Sequence, residues 1–209
     1  MPDFSYQFRQ EFNQLLRWRR DVRSFRNDPI EGATIERCLA TFNLAPSVGL
    51  SEPWRVVRVS SKDARAKAMA NFEDQNAQAL KGYSGEKAKI YSNLKLSGMG
   101  NAPVQLAIYC DDETTKGQGL GAATMPETRR YSVVAAIFQF WLTARAEGLG
   151  VGWVSILDPV RLNADLDVPQ SWTLVAYLCI GWPEHEKSTP TLQQVGWENR
   201  SKTLEILER

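Results

Sequence analysis

Four arginines and one aspartate crowd the stretch RWRRDVRSF, which runs from Arg17 to Phe25. Guanidinium groups bind phosphate through paired hydrogen bonds, so several of them close together are typical of a phosphate site. The alternative is a solvated face whose arginines pair with Glu11, Asp21 or Asp28, which adds little stability. Asp21 is then either a counter-ion or a carboxylate held beside a bound anion.

The chain as a whole is almost neutral, with 25 Lys and Arg against 24 Asp and Glu in 209 residues. A net charge of +1 provides no general field for nucleic acid or an anionic membrane, so neither is an expected partner. Any anion site has to be local. The polar N-terminus is typical of neither a signal peptide nor a spanning segment, and a cytoplasmic protein is expected.

A single histidine, His185, restricts the chemistry that is available. It lies in the polar stretch WPEHEKSTP, which we interpret as a surface loop. Ser-His-Asp catalysis, Cys-His catalysis and multi-histidine metal sites all need a placed imidazole, so no metal is expected. Three widely spaced cysteines favour neither a disulfide framework nor a CxxC site. Carboxylates, backbone groups or a cofactor must therefore carry any reaction.

Two glycine-rich stretches differ from the nucleotide-binding loops they suggest. GLGVGW, at 148–153, leaves a predicted helix and enters a strand, which is the reverse of the dinucleotide fingerprint. GQGLG, at 117–121, lacks the Lys and Ser/Thr of a P-loop. We interpret Gly148 as a helix C-cap, and Gly150 and Gly152 as sites of close backbone approach.

The hydrophobic pattern predicts the elements that position these residues. Helices are expected over 5–20, after Thr34 and over 131–147; the last is apolar around most of its circumference and needs cover on most sides. Strands are predicted for WRVVRVS, APVQLAIYCDD, GLGVGWVSIL and TLVAYLCIGWP. Residues 62–92 form either a helical pair broken at KGYSGEK or a mobile cover. Together these elements predict one α+β domain over residues 1–209.

The order and spacing of RRDVRSF, APSVGLSEPW, GLGVGWVSI and LCIGWPE resemble the nitroreductase-like flavoprotein superfamily over almost the entire chain. The resemblance implies an FMN-dependent fold with a central, mostly antiparallel sheet flanked by helices. It also implies a homodimer that exchanges terminal segments, with FMN at the interface and 131–147 as the interface helix. The implied FMN-binding residues are Arg19, Arg20, Arg23, Ser47 reaching across from the other subunit, Gly152 and Arg200.

An acid at position 21 departs from ordinary nitroreductases, which commonly have a serine there. The motifs RRDVR, APSVGLSEPWR and LKLSGMGNAPVQLAIYCD are similar to those of the 5,6-dimethylbenzimidazole synthase family, whose members fragment reduced FMN with O2. This resemblance implies that FMN is a substrate, that Asp21 and Ser155 are catalytic, and that about 80–100 forms a lid with Lys95 and Leu96 near the flavin. A separate flavin reductase is the expected source of reduced FMN.

Two other functions stay open at this point. An FMN-dependent NAD(P)H nitro- or quinone reductase would use the same fold, but its second substrate must stack on the flavin face that the lid covers. A non-catalytic flavin-binding protein would keep the arginines and have no need of Asp21. The sequence also leaves open whether burial or the neighbouring arginines dominate the pKa of Asp21.

Overall fold

A central antiparallel sheet organises the fold in this computed structural model, which describes residues 3–209. Its strands are β1 (Trp54–Arg58), β2 (Val104–Asp111), β3 (Gly150–Val154) and β4 (Trp172–Gly181). They lie in the order β1-β2-β4-β3. The helices are α1 (Tyr6–Trp18), α2 (Gly32–Ala40), α3 (Lys62–Leu80), α4 (Gly85–Asn93), α5 (Thr128–Ala146), α6 (Pro159–Asp165) and α7 (Thr191–Gln194).

Helices cover both faces of the sheet, and this explains the apolar character of β2. Leu106 and Ile108 pack with α2 and α5, whereas Ala107 and Tyr109 pack with α3 and α6. All four are 0% exposed. A strand buried on both faces favours apolar residues at nearly every position, so its pattern does not alternate even though its neighbours are antiparallel. The predicted α+β class and mostly antiparallel sheet are confirmed.

The described residues bury only one side of α5. Ile137 and Phe140 are fully buried in the core, whereas Val134 and Phe138, on another face, are 41% and 45% exposed. Helix α1, which contacts α5, has no buried residue within this chain, and its Phe8 is 45% exposed. An apolar strip on α1 and α5 is therefore left without cover from the described residues.

Two local predictions are confirmed. Gly148 ends α5 with φ +82°, and the N–H of Leu149 donates to the carbonyl of Ala144 at 2.8 Å, which is a Schellman cap. The polar stretch after β1 forms a helical pair, α3 and α4, separated at residues 81–84. Among the described residues, no helix is both long enough and apolar enough to cross a membrane.

Candidate functional site

The arginine motif leaves α1 and runs as an extended segment beside β3. Asp21 forms a parallel bridge with Val151, and the N–H of Val22 donates to the carbonyl of Val151 at 3.0 Å. A Cβ on Gly152 would lie 2.2 Å from the carbonyl oxygen of Val22, and a Cβ on Gly150 would lie 2.8 Å from the Val22 side chain. The close approach predicted for both glycines is thus made by the chain's own arginine segment.

Asp21 is held by two groups at the end of β3. Its Oδ1 accepts a hydrogen bond from the N–H of Trp153 at 2.8 Å, and its Oδ2 accepts one from Arg23 Nε at 2.7 Å. Ser155 follows two residues after Trp153, just beyond the last residue of β3, and its side chain is exposed. Asp21 is therefore bonded to the end of β3, and Ser155 lies just beyond that end.

Burial raises the pKa of Asp21 above its ordinary value. The charge of Arg23, the N–H of Trp153 and the charge of Arg19 act in the opposite direction without cancelling the effect of burial. The Asp21 side chain is still 41% exposed, so the carboxylate lies in a recess that remains open to a ligand. A carboxylate with a raised pKa is a better proton acceptor than one clamped by arginines alone.

Arg23 joins three separate parts of the site. Besides its pairing with Asp21, it donates from Nη1 to the carbonyl of Leu96 at 2.8 Å and from Nη2 to the carbonyl of Trp153 at 2.6 Å. The guanidinium therefore connects the carboxylate, the end of β3 and the predicted lid. These three bonds leave at most two of the five N–H groups of the guanidinium for the predicted contact with FMN.

Arg19, Arg20 and Arg200 form a cluster of positive charge without a paired acid. Within residues 3–209 none of the three makes a salt bridge. Burial lowers the pKa of Arg19 and of Arg20, and the charge of Arg200 lowers both further. Such mutual repulsion is relieved when an anion binds, so this arginine cluster favours a phosphate group.

Other contacts orient two members of this arginine cluster. The guanidinium of Arg19 lies 4.9 Å over the ring of Trp141 on α5. Arg20 donates to its neighbour's carbonyl at 2.7 Å and to the carbonyl of Ser188, while its Nε is buried with no acceptor among the described residues. An unused donor next to unpaired cations fits an anionic ligand such as the phosphate of FMN.

Two adjoining cavities lie at these residues. The first has a volume of about 220 Å³ and the second about 260 Å³. Ligand pockets usually reach about 300–1,000 Å³, so a nucleotide-sized ligand has to extend over both. The first is lined by Arg19, Arg20, Asp21, Arg23, Leu94, Lys95, Leu96, Pro190, Thr191, Leu192 and Arg200.

The second cavity adds residues that the sequence analysis did not assign to the site. His185 and Lys187 line it together with Asp21 and Lys95. His185 is exposed, as predicted for a loop residue, yet this loop folds back against the arginine motif. The local pattern WPEHEKSTP does not indicate that this loop contacts the arginine motif, because the contact depends on where β4 ends.

Ser47 lies in a different region. Its Oγ accepts a hydrogen bond from the N–H of Glu52 at 3.1 Å, and the N–H of the next residue, Val48, donates to Ser132 Oγ on α5 at 3.0 Å. Neither cavity has Ser47 or Gly152 in its lining. The predicted contact of Ser47 with FMN therefore requires a second chain and stays a prediction, as does a direct contact by Gly152.

The described side chains offer no metal centre. Within 3–209, no group of three or more His, Cys, Asp or Glu residues is placed to hold a metal ion. Cys38, Cys110 and Cys179 are buried and free. Burial raises the pKa of the Cys110 thiol to about 12, which makes it a poor ligand and a poor nucleophile.

Comparison with known proteins identifies the family to which this sequence is similar. Residues 16–182 match the nitroreductase family. The chain is 54% identical over 199 residues to the 5,6-dimethylbenzimidazole synthase of Rhodospirillum rubrum, a match that covers 95% of this chain and 94% of the relative. It is 47% identical over 201 residues to a protein of the same name from Rhodobacter capsulatus, with coverage of 96% and 97%.

Solved structures share the fold at lower sequence identity. An oxidized iodotyrosine deiodinase bound to FMN and 3-iodo-L-tyrosine has a TM-score of 0.72 and 18% identity, covering 95% of this chain and 97% of that one. A BluB-like flavoprotein from Clostridium difficile 630 has a TM-score of 0.64 and 20% identity, covering 86% and 93%. These similarities show a common architecture and leave the reaction to the residues of the site.

Proposed function

This chain belongs to the nitroreductase family, and we propose that it is the enzyme that fragments reduced FMN with O2 to give 5,6-dimethylbenzimidazole and erythrose 4-phosphate. The benzimidazole is the lower ligand of cobalamin. The 54% identity to a synthase of that name, over 95% of the chain, supports this reaction over simple reduction of a second substrate. FMN is then consumed as a substrate, and O2 is the co-substrate.

The observation that carries this proposal is the position of Asp21. Its carboxylate lies on the wall of the same cavity as Arg19, Arg20 and Arg200. In a site that only binds phosphate, a carboxylate would repel the ligand. The hydrogen bond that fixes Asp21 to β3 and the raised pKa of Asp21 therefore indicate a role other than phosphate binding. That role is explained if Asp21 acts as a base beside a bound sugar alcohol.

Each part of the cavity then has a distinct task. Reduced FMN supplies the electrons for O2 and the carbon atoms of both products. The unpaired arginine cluster, Arg19, Arg20 and Arg200, holds the phosphate. Asp21 would accept the proton of a ribityl hydroxyl as the carbon that bears it becomes the aldehyde carbon of erythrose 4-phosphate. The electron pair of the broken carbon–carbon bond would pass to the carbon left on the flavin nitrogen, which O2 has first oxidised. Its raised pKa increases its strength as a base for that step.

The lid and Ser155 complete the site. The lid residues Lys95 and Leu96 line the cavity, and the carbonyl of Leu96 is fastened to Arg23. A covered cavity excludes water, which favours fragmentation over loss of reduced oxygen to the solvent. Ser155 is exposed beside the same strand end, where its hydroxyl is available to orient the reacting ring.

A homodimer and a cytoplasmic location belong to the same proposal. The uncovered apolar strip on α1 and α5, which includes Phe8, Val134 and Phe138, supports a second copy as its cover. That copy would also bring its own Ser47 toward the cavity. A separate flavin reductase is proposed as the source of reduced FMN.

The test follows the fate of FMN. The protein is mixed anaerobically with excess reduced FMN, air is admitted, and the products are separated by chromatography. We expect 5,6-dimethylbenzimidazole above the amount in a protein-free control. Its absence would refute the proposal. Rapid oxidation of NADPH with a nitroarene would instead indicate a reductase, and FMN recovered unchanged without either activity would indicate a flavin-binding protein.

A further inference from the structure

Trp197 is anchored in a C-terminal segment that is otherwise exposed. Every other residue of 194–209 is exposed, whereas Trp197 is half-buried. Its indole packs edge-on against Tyr83, with ring centres 5.2 Å apart, and lies 6.3 Å from the ring of Tyr91. Lys87 Nζ lies 4.6 Å over the indole and also donates a hydrogen bond to the carbonyl of Trp197 at 2.6 Å.

These three contacts all come from α4 and the turn before it, which form part of the lid. Tyr83 and Tyr91 are stacked with ring centres 4.9 Å apart, and the hydroxyl of Tyr91 donates to Asn76 on α3 at 2.8 Å. Aromatic pairs and a cation over an indole are attractive beyond the area they bury. Trp197 therefore fastens the C-terminal segment to the lid.

A local backbone motif connects Trp197 to the first cavity. Gly196 has φ +75°, and its N–H donates to the carbonyl of Gln193, while the N–H of Trp197 donates to the carbonyl of Leu192 at 2.9 Å. This Schellman cap ends α7 and sets the direction in which the chain continues. Leu192 on α7 and Arg200, three residues beyond Trp197, both line the cavity.

Arg200 belongs to the unpaired arginine cluster. Its charge lowers the pKa of Arg19 and Arg20, so without an anion these arginines repel the C-terminal segment. A bound phosphate removes that repulsion and attracts Arg200. Trp197 packs on α4, so when the C-terminal segment becomes more ordered at Arg200, the lid becomes more ordered as well.

We propose that Trp197 is a positioning residue that couples phosphate binding at the arginine cluster to closure of the lid over the cavity. This inference rests on the proposed function only in taking the phosphate to be that of FMN. This coupling would close the lid, and so exclude water from the cavity, when a phosphorylated flavin is bound. Trp197 itself lines neither cavity.

The test measures backbone hydrogen exchange of the full-length chain with inorganic phosphate as the probe and chloride at matched ionic strength as its control. Phosphate should slow exchange in residues 19–25 and in residues 83–101. In Trp197→Ala the protection of 19–25 should remain, whereas that of 83–101 should fall about tenfold, as expected for loss of one aromatic anchor. Trp197→Phe should restore it.

Two further variants keep the result interpretable. Lys87→Ala alters only an exposed side chain, so the fold is retained, and it should reduce lid protection in part. Leu204→Ala, in the same segment and 84% exposed, is the matched control and should behave as wild type. In turnover, Trp197→Ala should lower kcat more than it raises KM, because an open lid admits water while the phosphate contacts remain.

The proposal is overturned if phosphate leaves lid exchange unchanged in the wild type, or if Trp197→Ala keeps full lid protection. It is also overturned if that variant loses protection at 19–25, since Trp197 would then build the anion site instead of transmitting its occupancy. Phosphate binding needs no catalysis. Lid protection in a protein that makes no benzimidazole would therefore refute the proposed function and leave the coupling intact.

Discussion

Replacing Gly152 by alanine should destabilise the protein and displace Asp21. The new Cβ would lie 2.2 Å from the carbonyl oxygen of Val22 and 3.3 Å from its carbonyl carbon. A comfortable contact is about 3.5 Å, so the arginine segment has to move by about 1 Å. Forced overpacking together with loss of the hydrogen bond between Val22 and Val151 should cost about 2–4 kcal/mol of unfolding free energy.

Urea unfolding followed by circular dichroism measures this cost, with Gly32→Ala as the matched control. A Cβ on Gly32, at the start of α2, meets nothing within 4 Å, so this variant should be unchanged or more stable by about 0.5–1 kcal/mol. Gly152→Ala should also lose benzimidazole formation, because Trp153 and Asp21 shift together. An unfolding free energy within about 0.5 kcal/mol of wild type would refute this account of the contact.

Four further predictions concern the site and the assembly. Asp21→Asn should keep FMN binding and lose the product; wild-type yield in that variant would remove Asp21 from the mechanism. The rate should fall as the pH drops through the pKa of Asp21, which burial raises above the ordinary value of an aspartate. Arg23→Gln should move the midpoint of the pH–rate profile upward, because it removes a cation that lowers this pKa. Arg200→Gln should weaken FMN binding about tenfold and leave riboflavin binding unchanged in fluorescence titrations. Phe138→Asp should convert a dimer to a monomer in light scattering, and an unchanged mass would exclude the strip on α1 and α5 as the interface.

The sequence indicates the sheet, α5 and its glycine cap because each depends on local pattern. β2 and β4 are largely apolar runs, and Gly148 comes directly after the C-cap residue of α5. The start of helix α6 is also predictable from the sequence. Asp158 accepts hydrogen bonds from two N–H groups of the first turn, and Pro159 is the first residue of the helix. This Asp-Pro signal marks the start of a helix that hydrophobic periodicity alone does not reveal.

The parts of the site that the sequence does not indicate depend on distant contacts. Arg23 and Leu96 are 73 positions apart, and Lys87 and Trp197 are 110 apart, so no spacing within either motif reveals their bonds. The contact that requires glycine at position 152 is likewise not evident from the sequence. Its pattern predicts a close approach, while the partner, Val22, is known only once the arginine segment is placed beside β3.

The balance between FMN lost and 5,6-dimethylbenzimidazole formed is the most direct test of the proposed reaction. Both are quantified by chromatography after a limited amount of reduced FMN is mixed with the protein and exposed to air. We expect the amount of benzimidazole formed to equal the amount of FMN that disappears, and we expect Asp21→Asn to return all of the flavin as FMN. Complete recovery of FMN from the wild-type protein would contradict it.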